Sequence, residues 1–162
     1  MTVPPVTVPP APPPPVASPP LPVVPQPVPD AARRLLELAN LERQRAGLAP
    51  LRTRDDVTAI ALAHSHRMAL AGDIFHNRSY FSRAARRQLK SVFRGENVAY
   101  NGSVEVAHAR LMRSPGHRAN LLNRRFSVVG IAVVQASDGR YFITEDFLQP
   151  VRPPRTSVRP AR

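Results

Sequence analysis

Between residues 30 and 147 the apolar positions recur with two different periods, and the change of period divides the chain into helices and strands. Asp30 follows Pro29 and can cap a helix running to Gly47, with Leu35, Leu38 and Leu41 on its apolar face. A second helix, capped by Asp55 or Asp56, carries Val57, Ile60, Ala61, His64, Met68 and Ala71 in one stripe before Gly72 ends it. A short basic helix is expected over 81–92, with Arg83, Arg86, Arg87 and Lys90 outward. A strand over 96–100 and a turn at Asn101-Gly102 lead to a helix over 103–113. Ser114 then reads as the cap of a fresh helix with Pro115 in its first turn, where a missing N–H costs nothing. The period shortens after that. Residues 128–135 are strongly β-branched, Asp138-Gly139 supplies a hairpin turn, and 140–147 returns. Val128, Val129, Ile131, Val133 and Val134 are apolar on both faces of the strand, so both faces are expected to be covered. The pattern predicts an α+β layered sandwich with a mostly antiparallel sheet.

Proline changes this picture upstream. Of 20 prolines, 14 lie between Pro4 and Pro29, where no side chain is charged. Residues 1–29 are therefore expected to be an extended polyproline-like linker, reaching roughly 90 Å at about 3.1 Å per residue. Residues 30–149 suffice for one domain, and 150–162 form a Pro/Arg tail. No apolar run approaches the roughly 20 residues of a membrane span. The start Met1-Thr2-Val3-Pro4-Pro5 also lacks the basic region and leucine-rich core of a secretory signal. The chain has no cysteine, which excludes disulfides, thiol nucleophiles and thiolate metal sites. The formal net charge is +12; four of the 23 basic residues are in the tail, so the domain holds 19 against 11 acidic groups, a net of +8. That balance favours anionic partners without choosing among them.

Five histidines are the candidates for chemistry. His64 lies on the apolar stripe and reads as a core histidine or one that supports a site. His66 and His108 fall toward polar positions and read as solvated. His76 follows Ile74-Phe75 just past a helix end, in a loop that can aim it into a cleft. His117 lies in the first turn of a helix, which disfavours imidazolium and suits a proton acceptor or cation ligand. Glu96 sits beside a glycine at a strand start, where a surface pairing with an arginine is the plainer reading. His76, Glu96 and His117 match a three-ligand metal site in chemistry, although spacings of 20 and 21 residues fit no short metal motif. The chain has no His-Glu-x-x-His, phosphate loop, dinucleotide fingerprint or nucleophile elbow.

Several stretches, in order, resemble the bacterial branch of the CAP superfamily (cysteine-rich secretory protein, antigen 5, pathogenesis-related 1; the SCP domain). They are Leu36 to Leu51, Ala61-Leu62-Ala63-His64-Ser65-His66, Gly95-Glu96-Asn97-Val98-Ala99, Ser114-Pro115-Gly116-His117-Arg118-Ala119-Asn120-Leu121-Leu122, and Tyr141 to Phe147. The resemblance implies a three-layer α-β-α sandwich and a cleft lined by His76, Glu96 and His117, with a divalent metal such as zinc held by His76 and His117. Two departures stand out. The family's second cleft glutamate falls near Arg113, and the tryptophan before it aligns with Leu111.

Three function classes follow. The first, which the resemblance favours, is a binding module of the secreted space or cell envelope, with an anionic lipid, glycan or wall polymer as partner. The second is a hydrolase in which Glu96 orients His117 and His76 completes a cation or water site. The third is nucleic-acid binding through Arg78, Arg83, Arg86, Arg87, Lys90 and Arg94, although no recognition motif accompanies them.

Overall fold

The computed structural model describes residues 24–151. Most of the linker expected over 1–29 and most of the tail expected over 150–162 lie outside the described residues. Regular structure is already present upstream of Asp30. A two-residue strand β1 (Gln26–Pro27) leads directly into helix α1 (Pro29–Arg45), followed by a second short strand β2 (Arg52–Thr53) and helix α2 (Asp55–Ala71). Then come α3 (Arg83–Gln88), β3 (Ser91–Asn101), α4 (Val104–Arg113), α5 (Pro115–Leu121), β4 (Val128–Gln135) and β5 (Tyr141–Pro150). The strands form one sheet in the order β1-β4-β5-β3, with β2 also pairing to β4. Only the β2–β4 pairing is parallel.

The alternation of side chains across the sheet sorts the helices into two layers. Val129, Ile131 and Val133 of β4 with Ile143 and Phe147 of β5 pack against α1, α4 and α5. The intervening positions, Val134, Phe142 and Leu148, pack against α2 and the segment that follows it. This is the α-β-α sandwich, with both faces of β4 covered as its apolar run requires. Gly130 marks how closely α2 lies on the sheet. A Cβ there would stand 2.4 Å from the Val57 carbonyl carbon, so any side chain at 130 must push the α2 backbone away.

Local expectations met mixed outcomes. Gly72 ends α2 with φ 66°, and Ser103 caps α4 by accepting from the Val106 N–H at 3.4 Å. Asp30 does not cap α1; the cap position is Val28, and Asp30 instead pairs with Arg33 in the first turn. Arg54 holds the cap position of α2, while Asp56 accepts from the Val57 N–H at 2.9 Å. Ser114 occupies the cap position of α5 without a side-chain hydrogen bond. The face of α1 that meets the sheet steps by four through Ala31, Leu35, Ala39 and Arg43, while Leu41 remains exposed. Small residues at 31 and 39 let the helix lie close. Arg43 is buried because its guanidinium spans the carbonyls of Ala49, Leu121, Asn123 and Phe126 at 2.8–3.0 Å, tying α1 to the exit of α5.

Candidate functional site

β3 and β5 are joined antiparallel with Glu96 opposite Asp146 and Asn97 opposite Glu145. Directly opposed residues share a face and neighbours alternate, so these two pairs lie on opposite faces of the same ladder. All four side chains are buried.

On the α2 face, the loop after Gly72 folds over Glu96. Its carboxylate accepts from His76 Nδ1 at 2.7 Å and from the Asn77 N–H at 2.9 Å and 3.2 Å to its two oxygens. Since a carboxylate only accepts, Nδ1 of His76 carries the hydrogen, and in the neutral ring Nε2 offers a lone pair. The His76 side chain is 60 % exposed while that of Glu96 is fully buried. His64 supports this loop from α2. Its Nε2 faces the Phe75 carbonyl at 2.6 Å and its Nδ1 faces an Arg67 nitrogen at 3.0 Å. A carbonyl accepts and a guanidinium donates, so His64 is the Nε2–H tautomer and neutral, and burial lowers its pKa in the same sense. Its Nε2 stands 3.8 Å from Glu96 Oε2, too far for a hydrogen bond. His64 therefore holds the backbone of the loop and leaves the Glu96 carboxylate to His76 and Asn77.

On the α5 face, the Asn97 amide donates to Glu145 Oε2 at 3.0 Å and to the His117 carbonyl at 3.2 Å. Asn120 donates in turn to the Glu96 carbonyl and to Asn97 Oδ1. This network fixes α5 on β3 through the Ser-Pro-Gly-His turn. Burial pushes the Glu145 carboxyl up to about 7, against the opposing pull of its Asn97 hydrogen bond.

The three expected site residues are thus only partly united. His76 and Glu96 are in contact. His117 stands on the other side of edge strand β3 and makes no side-chain hydrogen bond to either. Burial lowers its pKa, and the charge of a protonated His76 would lower it further. Glu96 therefore orients His76 rather than His117. His117 lines a groove of about 290 Å3 along the β3 edge with Ile74, Tyr100, Arg110 and Ser114. An apolar groove of about 400 Å3 lies away from this chemistry, walled by α1 and α2 beside β4.

The divalent metal expected at His76 and His117 is overturned. Among the described residues no three His, Cys, Asp or Glu side chains come together as a metal site requires. His76 Nδ1 and both Glu96 oxygens are already engaged in hydrogen bonds with one another and with Asn77, and the family's second glutamate is replaced near Arg113. His108, expected in solvent, is buried on α4, with burial lowering its pKa. His66 is half-buried. The residues missed by the pattern were Glu145, Asp146 and Arg43. Two acids in a strand paired with one apolar on both faces were the available signal for the first two.

Among the described residues no helix is long and apolar enough to cross a membrane. The profile of the cysteine-rich secretory protein family, CAP, matches residues 36–147. The protein YkwD of Bacillus subtilis is 32% identical over 110 residues, 64% of this chain and 42% of YkwD. Solved structures similar in fold include an extracellular protein containing a SCP domain from Bacillus anthracis (27% identity, TM-score 0.61, 74% of this chain and 40% of that one). A cysteine-rich secretory protein from Staphylococcus aureus is similar at 25% identity, TM-score 0.62, with 75% of this chain and 39% of that one covered. An outer surface protein from Borrelia burgdorferi shares the fold alone, at 15% identity and TM-score 0.68, over 75% of this chain and 94% of that one. This chain therefore spans less than half the length of YkwD and of the Bacillus anthracis and Staphylococcus aureus structures. With a profile match running from α1 through β5 and the three-layer sandwich beneath it, the chain belongs to the CAP family.

Proposed function

We propose that this domain is a binding module of the secreted space or cell envelope whose partner is anionic: a lipid headgroup, an acidic glycan or a wall polymer. The carrying observation is the segment from Ile74 to Gly95, which has six cationic side chains and no acidic one. None of the six joins an ion pair among the described residues. Arg94 and Arg86 bind the carbonyls of Tyr80, Phe81, Ser82 and Ser91 and so staple the segment to β3. Arg78, Arg83, Arg87 and Lys90 are exposed, and Phe75 and Phe81 stand exposed in the same segment. A cationic segment held to β3 and bearing exposed apolar side chains suits an anionic surface better than a solvated tail would. The secretory and extracellular character of the relatives supports the location. The test is titration calorimetry against anionic vesicles and wall polymers at low and physiological salt. Arg78, Arg83 and Arg87 changed together to Gln should weaken vesicle binding about a hundredfold at low salt. Flat titrations at both salts would end this reading, and a salt-dependent shift of mixed DNA and RNA instead would favour nucleic acid.

A second reading is supported by the His76–Glu96 pair: a hydrolase in which His76 Nε2 is the base and His117, in its groove along the β3 edge, assists. An activity found in a substrate library should vanish in Glu96→Gln and His117→Ala with the fold intact. Unchanged activity in both variants rejects it.

A further inference from the structure

Behind the His76–Glu96 pair stands a group that neither reading uses. Asp146 lies opposite Glu96 across the β3–β5 ladder and opposite Gly130 across the β4–β5 ladder. The close approach of Val57 over Gly130 closes the α2 side. The Asp146 side chain is fully buried, and neither of its oxygens has a donor. The side chain directly opposite it, on the same face and equally buried, is another acceptor, the Glu96 carboxylate. The titratable groups facing this pair are Tyr80 from the loop, His64 from α2 and His76. Tyr80 gives its hydrogen to the Phe147 carbonyl at 2.7 Å, His64 gives its Nε2 hydrogen to Phe75, and His76 gives its Nδ1 hydrogen to Glu96. No ion pair to Asp146 exists among the described residues. Two buried carboxylates on directly opposed positions of one face, with no cation paired to Asp146, are not a stable arrangement.

We propose that Asp146 and Glu96 hold one proton between them at neutral pH, with Asp146 as the carboxylic acid that donates to Glu96 and Glu96 as the carboxylate that orients His76. The proton completes the accounting of hydrogen bonds. Glu96 Oε1 takes the His76 Nδ1–H and the nearer Asn77 contact, so Oε2, which has only the longer Asn77 contact, receives the Asp146 O–H. Burial and the Glu96 charge both raise the Asp146 pKa, in keeping with this assignment. Asp146 is thus a positioning residue that acts through Glu96. Its O–H keeps the Glu96 carboxylate turned to His76 and its neutrality leaves a single negative charge there, so that Nε2 is the lone-pair nitrogen of the exposed ring. The site then has the form of an acid–base device: a proton taken at Nε2 from a bound group gives an imidazolium facing one carboxylate, while the Asp146 proton stays in place. The existence of this proton pair is independent of anion binding, and the measurement below reads it whether or not any ligand is found.

The experiment is carbonyl-13C NMR of the full chain labelled at aspartate. The other aspartates, Asp30, Asp55, Asp56, Asp73 and Asp138, are all exposed, so a signal that stays at the carboxylic-acid position at pH 6 identifies Asp146 without any variant. Six aspartate signals all at the carboxylate position at pH 6 would overturn the proposal. A second measurement separates positioning from mere packing, using 15N NMR of the His76 ring in its neutral state. Asp146→Asn, which keeps a neutral donor to Glu96 Oε2, should retain the Nδ1–H tautomer, and Asp146→Val, which removes that donor and leaves the buried carboxylate free to turn or to take a proton itself, should lose its dominance. Loss in Asp146→Asn, or retention in Asp146→Val, would count against Asp146 acting through Glu96. Should Asp146→Val fail to fold, the aspartate signal and Asp146→Asn decide.

Discussion

The two faces of the β3–β5 ladder solve the same problem in different ways. Each buries a side-chain pair from adjacent register positions, Glu96 with Asp146 toward α2 and Asn97 with Glu145 toward α5. On the α5 face an amide sits between the acid and the helix. Asn97 and Asn120 supply donors, and the result is a rigid splint that carries the backbone of His117 but leaves its ring unbonded. On the α2 face acid meets acid, and the donors come from a loop, through His76 and the Asn77 N–H. The lesson is that position in the cleft does not fix role. His117 is placed by its main chain, whereas His76 is placed by its ring, so only His76 has its tautomer dictated.

The contrast can be broken most severely on the α5 side. Arg43→Ala strips donors from four carbonyls at the junction of α1 and α5, and urea unfolding should show a loss of about 3–5 kcal/mol, the largest of the set. Next is Glu145. Its folded pKa, about 7, lies above its ordinary 4.5, so the folded state binds that proton more tightly. The stability it contributes is complete below pH 4.5 and is lost as pH rises through 7. Glu145→Gln should flatten the stability profile over that window by about 2–3 kcal/mol. An unchanged slope would show that Glu145 is not the titrating group. On the α2 side, Gly130→Ala forces Val57 away from the sheet and should cost about 1–3 kcal/mol, read by the shift in urea midpoint. Smallest is His76→Ala. The ring is largely exposed, so stability should fall by only about 0.5–1 kcal/mol, while any acid–base chemistry of the His76–Glu96 pair is abolished. A loss as large as that of Arg43→Ala would mean that His76 is structural.

The layers were legible because β4 reads apolar on both faces, and the only way to satisfy such a strand is a helix on each side. β5 was legible as a strand but not as the holder of two buried acids. Thr144-Glu145-Asp146 looks like the polar stretch of a half-exposed strand until its neighbour is known to be covered twice. The site was legible in part. His76 could be placed in a loop after Gly72, but its union with Glu96 depends on that loop folding over β3, which no spacing records. Reading Glu96 as the orienter of His117 failed because edge strand β3 separates their side chains. Arg43 was invisible for a different reason. It sits in a run of charged and polar residues, Glu42-Arg43-Gln44-Arg45, and it is turned inward by the carbonyls of Ala49 and of residues 121–126. β1 and β2, two residues each, are set wholly by pairing with β4 and have no local signal of their own.

Those short strands have a mechanical meaning. The described chain enters the sheet at β1, on one margin, and leaves at Val151, whose N–H is bonded to the Lys90 carbonyl at 2.7 Å beside β3, on the other. A load transmitted through the upstream segment would meet first the Gln26 and Pro27 pairings and the Val28 bond to Val133. Those few bonds would part before the β3–β5 ladder, ten pairs long, and they lie on the margin away from His76 and His117.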